Sequence, residues 1–234
     1  KQHAPKRGSL AYLPRGRAKS QTGRIRFWPP VTEGPTVLGF MGYKAGMTHV
    51  FMIEDKPGSP EFGKETVHPA TIVDTPPITI CAIRAYTKNH YGLQTFTEAW
   101  MKNPPDDLER VFTLPENFDP TNGLKKMEES LDKIAEFRLL TATQPRLAGV
   151  PKKKPDVMEI KVDGGSVKEQ FAYARTLLGK TVSVTDALKE GQFTDTVAVT
   201  KGKGIQGPVK RWGIKIRDRK SRKTRRGVGT QGAW

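Results

Sequence analysis

At 234 residues and 35% hydrophobic content the chain can bury a core, which excludes a wholly disordered tail and allows one or two domains. Its single cysteine, Cys81, excludes an intrachain disulfide and fits a reducing compartment. The formal charge of +16 directs attention to a polyanionic partner.

That charge is concentrated at the two ends. Residues 1–28 carry a net +8 and residues 201–234 a net +11, which leaves −3 for everything between. A nearly neutral body with two cationic ends is the pattern of a globular domain with nucleic-acid arms. No apolar run approaches the roughly 20 residues of a membrane span. The opening Lys1-Gln-His-Ala-Pro-Lys-Arg lacks the apolar segment of a signal peptide, and Pro5, Gly8, Pro14, Gly16 and Gly23 forbid the amphipathic helix of a transit peptide. These features give the cytoplasm as the expected location.

Taken in order, residues 1–35 read as an extended arm. Gly and Pro recur every few residues, and Lys6, Arg7, Arg15, Arg17, Lys19, Arg24 and Arg26 supply cations for phosphates, with Trp28 as a stacking face. The alternative is a disordered tail whose Trp28 tucks against the body. From Thr36 the composition turns globular. Val37 to Glu54 reads as two strands joined by a turn at Lys44–Gly46, and Thr66–Asp74 and Ile78–Tyr86 as further strands. Such short strands separated by turn signals predict a barrel or sandwich.

Beyond Tyr91 the pattern is mixed. Leu93–Trp100 reads as a strand, and loops follow at Asn103-Pro-Pro and Phe118-Asp-Pro. Leu124, Met127, Leu131, Ile134 and Phe137 recur at helical spacing. Pro151-Lys-Lys-Lys-Pro, with Lys152, Lys153 and Lys154, is a linker and cation cluster. Val157–Val162 is a strand, and Ser166 with Glu169 has capping-box form for a second helix that stops at Gly179. Thr181–Thr185 and Thr196–Thr200 resume strand composition. The expected fold is mainly β with an α+β insertion: a β-barrel from 36–90 and 181–205, an inserted lobe at 91–180, an N-terminal arm at 1–35 and a basic finger at 206–234.

Catalytic chemistry finds little support. Gly202, Gly204 and Gly207 form a literal G-x-G-x-x-G, but Pro208 and the Arg-rich sequence beyond argue against the packed helix a dinucleotide site requires. His3, His49, His68 and His90 lack metal-site spacing, so neither a metal nor a cofactor is expected. Cys81, between Ile80 and Ala82, reads as a buried structural thiol. What stands out is the run Lys201, Lys203, Lys210, Arg211, Lys215, Arg217, Arg219, Lys220, Arg222, Lys223, Arg225 and Arg226, interrupted by one acid, Asp218. Each of these cations is repelled by its neighbours unless phosphates neutralise it. Trp212 and Trp234 add flat apolar faces, and structured RNA is the partner this pattern fits.

Phe40-Met-Gly-Tyr-Lys-Ala-Gly-Met-Thr-His, Pro151-Lys-Lys-Lys-Pro-Asp-Val-Met-Glu and Val199-Thr-Lys-Gly-Lys-Gly-Ile-Gln-Gly-Pro-Val-Lys-Arg-Trp-Gly closely resemble the ribosomal protein L-three family of the large subunit, in its archaeal form. The similarity runs over essentially the whole chain. It implies a translation-protein-type β-barrel with an inserted α+β lobe, and a primary rRNA-binding protein that binds near the rRNA 3′ end and nucleates assembly. It also implies neighbours such as L-fourteen and L-twenty-four-e, no homo-oligomer, no membrane, and Mg ions only through the rRNA. Lys44 and Lys152 to Lys154 lie in matching motifs and join the expected rRNA contacts. Gly232-Ala-Trp234 resembles the tip of the family's finger, which reaches toward the peptidyl-transferase centre. The family chain continues past that tryptophan to complete the barrel, so the resemblance implies a truncated chain here. Two rivals remain at this stage: an RNA-modifying enzyme or translation factor on the same barrel, and a DNA-compacting protein.

Overall fold

Ile78–Asn89 (β4) is the strand on which the body is built. Ile78 to Ile83 form an unbroken buried run, as in a strand covered on both faces. The structure, a computed structural model, describes residues 6–114, 119–221, 223–229 and 232. Around β4 lie Thr36–Val37 (β1), Gly92–Trp100 (β5), Glu136–Ala142 (β6), Val157–Asp163 (β7) and Thr181–Val182 (β8). They pair in the order β1-β7-β6-β4-β5, with β8 also on β4, and every pairing is antiparallel. Tyr43–Ile53 (β2) and Glu65–Asp74 (β3) form a separate two-stranded antiparallel ribbon.

Two helices cover the sheet. Pro120–Glu129 (α1) starts where the Asp119 side chain accepts from the Thr121 amide, with Pro120 at the first helical position. It lies so close to β5 that a Cβ on Gly123 would sit 2.5 Å from the Glu98 carbonyl oxygen. Val167–Leu177 (α2) has the expected capping box: Glu169 N donates to Ser166 Oγ, and Ser166 N donates to Glu169 Oε2 at 2.8 Å. Gly179, at φ +79°, ends it in the left-handed region. The core they enclose includes Ile78, Ile80, Ile83, Phe137, Leu139, Ile160 and Val162 from the sheet, with Met127, Phe171 and Ala174 from the helices.

The fold is thus mainly β with an α+β part, while several local expectations need correction. Lys44–Gly46 is not a turn; it is a register shift inside one long strand, where Ala45 is left without a partner across the ribbon. The helical spacing does not run to Phe137, because α1 ends at Glu129. A 3-10 turn, Leu131–Lys133, follows, and Phe137 and Leu139 face the core from β6 at the strand period of two. At 181–185 only β8 is strand. There Ser183 N donates to Asp186 Oδ2 at 2.8 Å and opens a short helix, Val184–Ala187 (α3). No strand forms at 196–200, where Val197 and Val199 are exposed and find no partner strand to pack on. Among the described residues, hydrogen bonding does not close the expected barrel, since ribbon and sheet pair separately.

Strand pairing crosses residues 91 and 181: β4 precedes the expected insertion, β5 to β7 lie within it, and β8 follows it. By its contacts the chain divides into two compact units, Lys1–Gly23 with Val197–Trp234, and Arg24–Thr196. The first joins the two ends that the sequence presents as separate arms.

Candidate nucleic-acid interface

The unit built from the two ends carries a net +17, against −1 for residues 24–196. Among its described residues no cation forms an ion pair. Lys6, Arg7, Arg17, Lys19, Lys201, Lys203, Lys210, Lys215, Arg219, Lys220, Lys223, Arg225 and Arg226 are exposed. This unit therefore gathers most of the residues expected to meet RNA.

Its local structure comes from glycine, proline and arginine. Gly207 caps a single helical turn, Pro208–Trp212 (α4), which opens on Pro208 and ends on Gly213 at φ +62°. Five residues long and without buried side chains, it is not the packed helix of a dinucleotide site, and no strand precedes it. Trp212 is half-buried under two guanidinium groups. Arg15 Cζ stands 4.4 Å from the ring centroid and Arg211 Cζ stands 5.7 Å away. Further along, Arg217 N donates to Arg225 O at 3.0 Å and Ser221 N donates to Asp218 O, closing a basic loop. The Arg217 guanidinium lies beside Gly229, whose φ of +89° is a left-handed conformation that favours glycine. Arg7 joins Ile214, Ile216, Asp218 and Val228 in lining a shallow groove beside this loop.

Other expected site residues lie in the second unit. Arg24 and Arg26 are exposed there, as is Lys44 on β2. Trp28 is not an open stacking face: it packs on the core beside Gly39, with its indole nitrogen buried and without a hydrogen-bond partner. Lys153 and Lys154 are exposed, but Lys152 Nζ is held by Asp156 at 2.6 Å, and Tyr43 donates to the same carboxylate at 3.0 Å. Burial raises the Tyr43 hydroxyl above its ordinary pKa. Arg222 and Trp234 lie outside the described residues, as do His3 and Phe118. The sequence reading missed Gly8, Ser9 and Gly229, which receive arginine side chains; a positive-φ glycine near an arginine is the signal that marks two of them.

Chemically, this unit offers exposed cations to a polyanion. The body offers the opposite. Cys81 is buried, with its thiol pushed up to about 12 by desolvation, which removes it as a nucleophile. His49 and His68 sit on the exposed ribbon, His49 edge-on to Phe51 and His68 hydrogen-bonded with Thr66. Among the described residues no helix is long and apolar enough to cross a membrane.

These features define a protein with a segregated polycationic surface, and sequence comparison places it. The profile of the family described as Ribosomal protein L3 matches residues 1–234. The chain is 49% identical to the large ribosomal subunit protein uL3 of Archaeoglobus fulgidus, over 100% of this chain and 70% of that protein. It is 49% identical to the uL3 of Pyrobaculum calidifontis, over 97% of this chain and 69% of that protein. It is 46% identical to the uL3 of Methanospirillum hungatei, over 99% of this chain and 70% of that protein. The chain belongs to the ribosomal protein L3 family, a structural, non-enzymatic family of the large ribosomal subunit in the cytoplasm.

Proposed function

We propose that this chain is a primary rRNA-binding protein whose basic unit threads large-subunit rRNA. In this reading it binds near the rRNA 3′ end, nucleates assembly, and carries residues 206–234 toward the peptidyl-transferase centre with Trp234 foremost. The observation that carries the reading is the charge segregation: +17 on residues 1–23 and 197–234, and −1 on the rest. Cations without internal carboxylates are stabilised when phosphates displace their counterions. They position the protein on RNA without reading bases. Mg ions enter only as part of the rRNA, and the protein binds no cofactor of its own. L-fourteen and L-twenty-four-e are its proposed protein neighbours, on the strength of family resemblance.

A competition measurement tests the RNA part. Large-subunit rRNA should outcompete duplex DNA of equal length, and affinity should fall steeply with salt; equal affinity for both would favour the DNA-compacting reading. For the finger, Cys81 is buried and unreactive, so a Ser221→Cys chain carries a single accessible thiol for an iron chelate. In reconstituted subunits, cleavage of peptidyl-transferase RNA is the expected result. Cuts confined to distant rRNA would reject the finger's direction.

A further inference from the structure

We infer that Arg15 and Arg211 form a clasp that fixes the N-terminal segment in register with residues 207–213, so that Arg15 acts as a positioning residue of the interface rather than as a phosphate ligand. The inference rests on the RNA reading of this unit and changes the role of one of its cations. Arg15 Nη1 donates to the Arg211 carbonyl at 3.1 Å and Nη2 to the Ser9 carbonyl at 3.0 Å. Arg211 Nη2 donates in return to the Arg15 carbonyl. The two residues thus exchange side-chain-to-backbone hydrogen bonds across 196 positions of sequence.

Each end of the exchange is prepared locally. The Arg211 carbonyl lies in the last turn of α4, where helix carbonyls lack partners within the helix. Ser9 caps the 3-10 turn Leu10–Tyr12, its Oγ accepting from the Ala11 amide at 3.3 Å. Gly8, at φ +74°, leaves the space that Arg15 uses: a Cβ there would meet Nη1 at 2.6 Å. Trp212 then covers the pair, its ring facing both guanidinium groups. Two like charges are thereby held close by three carbonyl acceptors and one indole, with no carboxylate involved. Arg15 is half-buried while its neighbours Arg17 and Lys19 are exposed. Arg15 commits two of its five N–H donors to carbonyls and a face to Trp212, which fixes its position, whereas Arg211 commits one donor and stays exposed. Lysine cannot replace Arg15, because the interaction needs a planar fork and a stacking face.

The test compares full-length chains binding large-subunit rRNA across a salt series, with Cys81 alkylation confirming that the body stays folded. Arg17→Ala, an exposed cation, should flatten the slope of log affinity against log salt by about 0.7–0.9. Arg15→Ala should lower affinity roughly tenfold with the slope unchanged, and Arg15→Lys should fail to restore it. Arg15→Ala combined with Trp212→Leu should be scarcely worse than either alone. Wild-type binding by Arg15→Lys, a slope change in Arg15→Ala matching Arg17→Ala, or additive losses in the double variant would each overturn the clasp while leaving the RNA reading standing. A wild-type chain with no salt slope sinks the RNA reading, and the clasp with it.

Discussion

The two units treat positive charge in opposite ways. In residues 24–196 several cations meet carboxylates: Arg84 pairs with Glu98 and Glu159, Arg138 with Glu136, Lys152 with Asp156, and Arg146 with Asp107. In the basic unit the described guanidinium groups that find internal partners find carbonyls, glycines and an indole instead. The first arrangement neutralises itself and can pack around an apolar core. The second leaves its charge unspent, so its order depends on screening or on an external anion. Under the proposed RNA reading, most of the cations left free for phosphates are thus kept apart from those the body neutralises.

The largest expected effect comes from inverting the unspent charge. Replacing Arg219, Lys220, Lys223, Arg225 and Arg226 with Glu should cost on the order of 10³-fold in rRNA affinity at physiological salt. The body should not notice. Its buried thiol, held near 12, should stay closed to alkylation at pH 8 in both chains. Opening of Cys81 in the reversed chain would show that the contrast between the units is not a real division of labour.

The reciprocal experiment damages the body and spares the charge. Phe137 is fully buried and packs on Phe171 with the rings tilted by 34° and their centroids 5.5 Å apart. Phe137→Ala should remove about 3–5 kcal/mol of stability, measured by denaturant unfolding. Below the unfolding transition, the salt slope of rRNA binding should match wild type. A changed slope would mean that the core sets which phosphates are met.

How much of this was readable beforehand follows the same division. Charge segregation is a property of composition, so the basic ends and their exposed cations were legible residue by residue. Capping chemistry was legible too, in Ser166 with Glu169 and in Gly179. Phe137 was misread because five apolar residues happened to keep helical spacing through Ser130, where the helix ends. Val197 and Val199 were misread because strand composition predicts a strand only when a partner strand exists. The one-turn helix at Pro208 carried its own signals, Gly207-Pro208 before and Gly213 after, but was outweighed by the glycines and arginines around it. The joining of Arg15 to Arg211 had no sequence signal, since contacts across so long a separation are decided by the fold.

A smaller effect tests the body's helix ends. Ser166→Ala removes the acceptor for the Glu169 amide and should cost about 1 kcal/mol, read as a lower unfolding midpoint with unchanged denaturant dependence. No loss would mean that Glu169 alone caps α2. Because Ser166 and Glu169 are not among the residues proposed to meet RNA, rRNA affinity should not move.

The smallest effect concerns how an exposed pair in the body titrates. Arg146 reaches Asp107 with both Nε and Nη2, at 2.6 and 2.8 Å, tying the 3-10 turn at 106–110 to the one at 145–147. That hydrogen bonding holds the Asp107 carboxyl below the ordinary carboxylate range, with a lesser contribution from Arg110. A carboxyl depressed in the folded state adds stability above its unfolded pKa, about 3.9, and loses it as pH falls through the lower folded value. The contribution is therefore complete at neutral pH and fades only in the acid range. NMR titration of Asp107 should give a midpoint below the usual value, and Arg146→Gln should move it upward. Solvent screens the pair, so the stability change should be slight and should shrink with salt. A midpoint that ignores Arg146→Gln would place the cause elsewhere, and this pair would no longer belong with the body's self-neutralised cations.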